Sequence, residues 1–68
     1  SKEKMRTTLR IMIVDDEPIV GKRLRRLLEK EGYEVETFTE GTAAIKKLEK
    51  KSFDIIITDL KMEGIDGM

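Results

Sequence analysis

A chain of 68 residues with 14 basic and 14 acidic side chains has room for one small domain, and no net charge draws it to nucleic acid or membrane. Cysteine and histidine are both absent, which excludes a disulfide framework, thiolate or imidazole metal sites, and histidine acting as a general base. Chemistry is left to carboxylates, lysines, hydroxyls and backbone, and hard carboxylate oxygens favour magnesium or calcium if a metal is bound.

Residues 1–8 read as a polar tail without an apolar signal core, and no apolar run approaches the roughly 20 residues of a membrane span. A cytoplasmic protein without a membrane partner is therefore expected. Leu9-Arg10-Ile11-Met12-Ile13-Val14 is the first strand, almost continuously apolar, and it ends in Asp15-Asp16-Glu17. Three adjacent carboxylates repel one another and would not close a strand for stability alone.

Pro18 suits the first turn of a helix, and Val20, Leu24, Leu27 and Leu28 then recur on one stripe. With Gly32 as a left-handed stop, this predicts a helix over about 18–31. Tyr33 to Phe38 alternates apolar and acidic residues, as a strand with one wet face or an edge position does. Thr39 is the expected cap of a shorter second helix, whose stripe is Ala44, Ile45 and Leu48. Ile55-Ile56-Ile57-Thr58 then reads as a strand buried on both faces, delivering Asp59 at its carboxyl end.

The order β-α-β-α-β with short connections predicts an α/β fold built on a parallel sheet. The first and third strands are apolar throughout and want two neighbours, whereas the second suits an edge, so the strand order is 2-1-3. Right-handed crossovers, the rule in about 98% of cases, then put one helix on each face. The reversal between the first and third strands is a topological switch point, where ligands bind beyond the strand ends. Asp15, Asp16 and Asp59 should meet there.

The stretches Ile11-Met12-Ile13-Val14-Asp15-Asp16-Glu17-Pro18 and Asp54-Ile55-Ile56-Ile57-Thr58-Asp59-Leu60-Lys61-Met62, with the Gly64-Ile65-Asp66-Gly67-Met68 tail, resemble the receiver domain of two-component response regulators. The resemblance covers residues 9–68 but only the amino-terminal portion of that family's (βα)5 flavodoxin-like fold, so it implies a truncated, partial receiver. It implies that Asp59 is the phosphoacceptor, that Asp15 and Asp16 hold Mg2+ with Asp59, and that the Lys61 backbone carbonyl completes the protein ligands. A histidine kinase is the implied phosphodonor, which accounts for the missing histidine, and the chain itself is not expected to be an enzyme. Glu63 departs from the family's usual proline. The family's hydroxyl residue on the fourth strand and lysine on the fifth have no counterpart, so an incomplete or inactive fragment is expected.

Plainer readings stand beside these. Asp15-Asp16-Glu17 could be a solvated acidic turn before a helix, where carboxylates gain about 0.3–1 kcal/mol, and Asp59 alone could start a turn. Their pairing at matching strand ends favours the site. Lys22, Arg23, Arg25 and Arg26 form a solvated helix face that Glu29 and Glu31 dilute against nucleic acid, and the resemblance implies that the same face is where a histidine kinase docks. The third strand should also carry an unpaired apolar edge, which predicts a homo-oligomer. Two alternatives remain: a self-associating structural half-domain without working phosphotransfer, and a small carboxylate-metal hydrolase.

Overall fold

The structure, a computed structural model, describes residues 8–59. The expectations placed on the tail 1–7 and on Lys61, Glu63, Gly64, Asp66 and Gly67 lie outside those residues.

The elements follow the chain as β1 (Arg10–Val14), α1 (Pro18–Lys30), β2 (Glu34–Phe38), α2 (Gly41–Leu48) and β3 (Ile55–Thr58). All strand pairs are parallel and the order is β2-β1-β3. The register places Ile11 between Val35 and Ile55, and Val14 between Phe38 and Thr58. All three strands therefore run out together, and the residues that follow them form one layer.

Side chains alternate across the sheet. Ile11, Ile13 and Val35 point to one face, where they form a core with Leu24, Leu28 and Tyr33. Met12, fully buried, points to the other face, as does Glu36, which is bonded to Lys47 and Lys51 at the end of α2. The helices accordingly lie on opposite faces, as the crossover rule requires.

The apolar stripe of α1 is rotated from the expected one. Val20, Leu24 and Leu28 turn inward beside the buried Gly21, while Leu27 is 58% exposed. Gly21 is the cause: an added Cβ would lie 3.3 Å from the Thr37 Cβ, so the missing side chain lets the helix backbone settle against β2 at this point. The end of α1 is as expected. Gly32 has φ +98°, its N–H donates to the Glu29 carbonyl, and the Tyr33 N–H donates to Leu28. That pair of bonds is a Schellman stop, and Leu28 and Tyr33 both pack on the core beside it.

Two expectations fail. The residue capping α2 is Glu40, which makes no side-chain cap bond, so Thr39 stands outside the helix. The isoleucines of β3 are exposed, at 42%, 48% and 38% for Ile55, Ile56 and Ile57, against the reading of a strand buried on both faces but in keeping with the raw apolar edge also expected of it. Among the described residues β3 pairs with β1 alone, and neither helix packs on it. Along α2 only Ala44 is buried, and Ile45 and Leu48 remain exposed for the same want of a layer over them. No helix among the described residues is long and apolar enough to cross a membrane.

Both ends of β3 are tied to β1. At the start, the Asp54 N–H donates to the Arg10 carbonyl (2.8 Å) and the Arg10 N–H donates to Asp54 Oδ2 (2.7 Å). At the end, the Asp59 N–H donates to the Val14 carbonyl (3.0 Å).

Candidate metal and phosphoacceptor site

The site begins where the ladder ends. The Asp15 N–H donates to the Phe38 carbonyl (2.9 Å) and the Asp59 N–H to Val14, so the first residues beyond β1 and β3 are held by the sheet itself. Asp15 also turns the chain toward α1, its Oδ1 accepting from the Glu17 backbone N–H at 2.8 Å. Such a carboxylate-to-backbone bond two residues on is an Asx turn, and it points the acidic run upward from the strand end.

Asp15, Asp16 and Asp59 each offer a carboxylate oxygen, and these oxygens all lie within 4.8 Å of one another. Asp15 and Asp59 are half-buried and Asp16 is exposed. Residues more than forty positions apart in sequence thus meet, as the switch-point reading predicts. Lys61 lies outside the described residues.

The donor set fits a hard divalent cation. Oxygens around Mg2+ at about 2.1 Å stand about 3–4.2 Å apart, and around Ca2+ at about 2.4 Å they stand about 3.4–4.8 Å apart. Small side-chain rotations, or one carboxylate acting through water, bring the observed spread within either range. Like charges this close repel one another, and a divalent cation held between them would offset that repulsion.

The three carboxylates open onto a cleft of about 260 Å³ whose other walls are Val14, Thr39, Gly41 and Thr58. A larger concavity of about 540 Å³ runs along the outside of α1 between Ile19, Lys22, Arg23, Arg25, Arg26 and Glu29. That one is a groove among long side chains with a single carboxylate, so the smaller cleft is the one equipped for chemistry. The sequence did not single out Thr39 or Gly41 as cleft residues. The signal available was position: both follow the carboxyl end of β2, in the same layer as Asp15 and Asp59.

A further charged group sits away from the site. Glu36 accepts a bond from Lys51 Nζ at 2.6 Å, with Lys47 Nζ at 3.7 Å, and the Lys51 ammonium lies 5.7 Å from the centre of the Phe53 ring. The Lys51 hydrogen bond, with the charges of both lysines, holds the Glu36 carboxyl below its usual range, against a smaller opposing effect of burial. This cluster ties the end of α2 to β2.

Comparison with known proteins bears on the family of the chain. The profile described as the response regulator receiver domain matches residues 11–68. The chain is 36% identical over 58 residues to regulatory protein VanRc of Enterococcus gallinarum, covering 85% of this chain and 25% of that protein. It is 39% identical over 59 residues to transcriptional regulatory protein ResD of Bacillus subtilis (strain 168), covering 87% and 25%. It is also 39% identical over 59 residues to sensor protein EvgS of Escherichia coli O157:H7, covering 87% and 5%. The chain therefore spans about a quarter of these regulators and a twentieth of the sensor. No solved structure matches significantly.

Proposed function

The chain belongs to the response regulator receiver domain family, and on that premise we propose that it is a phosphoacceptor in which Asp59 takes a phosphoryl group from a histidine kinase. The observation that carries this reading is the convergence of Asp15, Asp16 and Asp59 within 4.8 Å on one cleft. In the transfer, an Asp59 carboxylate oxygen attacks the phosphorus and an O–P bond forms as the donor's N–P bond breaks. The leaving imidazole keeps the electron pair and takes a proton from water. Asp15, Asp16 and Asp59 would hold Mg2+, with the Lys61 backbone carbonyl as the further ligand that the family resemblance implies. Bound Mg2+ supplies the positive charge that offsets repulsion between the carboxylates and the incoming phosphoryl oxygens. Transfer of this kind depends mainly on positioning and charge neutralisation, so the cleft needs no general base. The chain accepts a group once and is not itself a turnover enzyme.

The donor would dock on α1, where exposed Ile19 and Leu27 stand among Lys22, Arg23 and Arg26. A mixed apolar and basic helix face of this kind suits a protein partner better than nucleic acid. We place the module in the cytoplasm, with its donor. The test is intact-mass analysis after incubation with Mg2+ and a small phosphodonor such as acetyl phosphate. One added phosphoryl group, absent from Asp59→Asn, is expected; equal labelling of the variant overturns the assignment.

The exposed isoleucines of β3 favour a second reading, a self-associating structural unit without working phosphotransfer. Pairing of two β3 edges would make a two-fold dimer. Concentration-dependent unfolding without phosphodonor labelling would support it, and sedimentation as a folded monomer at all concentrations would exclude it.

A further inference from the structure

We propose that Thr39 is a positioning residue of the acidic cleft, its hydroxyl bonding to a water in the shell of the divalent cation. The inference rests on the phosphoacceptor reading and extends it to the β2–α2 connection.

Three observations lead to it. Thr39 lines the cleft together with the three carboxylates. Its place is set by the sheet, since it directly follows Phe38, whose carbonyl accepts the Asp15 N–H at 2.9 Å. The Thr39 position therefore moves with Asp15. Finally, the hydroxyl is not spent on the helix: Glu40 occupies the capping position, and the Thr39 side chain makes no hydrogen bond to any described residue.

The chemistry of the cleft gives that hydroxyl a task. Mg2+ sheds water reluctantly and keeps several waters when only a few carboxylates bind it. Those waters donate hydrogen bonds and need acceptors on every side. The carboxylates supply acceptors beyond β1 and β3, but among the described residues the β2 side of the cleft has only Thr39 and Gly41, and Gly41 has no side chain. A threonine hydroxyl both accepts and donates. It can hold a metal water before transfer and donate to a phosphoryl oxygen afterwards, without adding a fourth negative charge. Groups that orient ligands from outside the coordination shell typically change metal affinity by about 10–100-fold. Acting on one water at an exposed wall, Thr39 should contribute at or below the bottom of that range, about 3–10-fold.

The test is Mg2+ titration of the full 68-residue chain by calorimetry, with far-UV circular dichroism to establish that each variant is folded. Thr39→Val keeps the shape and removes the hydroxyl, and Thr39→Ala removes the hydroxyl without the branched bulk. Both should weaken Mg2+ binding about 3–10-fold, with Thr39→Ser within about twofold of the parent. Thr42→Val, on the exposed side of α2 and outside the cleft, should change nothing. Wild-type affinity in both Val and Ala variants overturns the proposal, as does loss in Thr39→Val alone or failure of serine to restore binding. Asp16→Asn separates the two levels. If it abolishes binding while the Thr39→Val and Thr39→Ala variants keep wild-type affinity, only the Thr39 role fails. If it leaves affinity unchanged, the cation site itself fails.

Discussion

Gly21→Ala sets two opposite effects against each other at a contact the structure defines closely. Gly21 lies inside α1, where alanine is favoured over glycine by about 1 kcal/mol. The new Cβ, however, would stand 3.3 Å from the Thr37 Cβ and 3.4 Å from its Cγ2. Thr37 is β-branched and stiff at χ1, so it cannot swing aside cheaply. Its strand is held on the far side by β1, where Thr37 faces Ile13. The helix must therefore retreat by a few tenths of an ångström from the face holding Leu24 and Leu28. Overpacking of this kind costs about 1–3 kcal/mol. Subtracting the helix gain leaves a net loss between about zero and 2 kcal/mol, centred near 1. For a domain of this size 1 kcal/mol is about 4–8 °C in Tm.

Urea unfolding of Gly21→Ala, Thr37→Ala and the double variant measures the share of the contact made by the Thr37 methyl. Thr37→Ala removes the 3.4 Å contact, so the cycle should show a coupling of at least about 0.5 kcal/mol, alanine at 21 being less harmful beside alanine at 37. Stabilisation by about 1 kcal/mol in both backgrounds would mean that helix propensity alone acts, and would refute close approach as the reason for glycine here.

Three further outcomes are expected. Asp15→Asn keeps an oxygen for the Glu17 N–H but removes one anionic ligand, so the variant should fold and lose most of the Mg2+-induced rise in Tm. That rise corresponds to about 2.7 kcal/mol when the ion is at 100 times its Kd, and an unchanged rise would contradict the ligand role. Glu36 has a lowered carboxyl pKa in the folded protein, so its contribution is present above the ordinary value of 4.5 and is lost as pH falls through the folded value. Glu36→Gln should cost up to about 1 kcal/mol at neutral pH, and the difference should vanish in acid-unfolding curves below that window. Met12→Ala, at the most completely buried side chain, should lose about 2–5 kcal/mol in urea unfolding.

Strand order and site were legible in the sequence because they depend on coarse patterns. Apolar runs at 11–14 and 55–57, against alternation at 33–38, fixed which strand could be central. Once the order was 2-1-3, Asp15, Asp16 and Asp59 had to converge. The same patterns could not reveal how far each helix approaches the sheet. The buried face of α1 turns on a missing side chain at Gly21, and hydrophobic periodicity counts only side chains that exist, so Leu27 was wrongly placed inward. Thr39 was misread for a related reason. Capping preference ranks threonine above glutamate, but where α2 starts is set by its packing through Ala44, one residue later than preference suggested. The exposure of Ile55, Ile56 and Ile57 shows the limit of composition: three isoleucines state that a strand can be buried, and only neighbours bury it.

The ties at the two ends of β3 have a consequence for the fidelity of the site. A strand of three identical isoleucines carries almost no information about its own alignment, since sliding it by one residue puts isoleucine where isoleucine was. Such a slip would carry Asp59 about 3.3 Å along the sheet and turn its side chain to the opposite face, away from Asp15. Backbone bonds such as Asp59 to Val14 could be remade by any residue in a shifted strand, but the bond from the Arg10 N–H to the Asp54 carboxylate exists in only one alignment. Asp54 is thus the index mark of β3: it sits at the end remote from the cleft, and it helps determine whether Asp59 arrives in reach of Asp15 and Asp16.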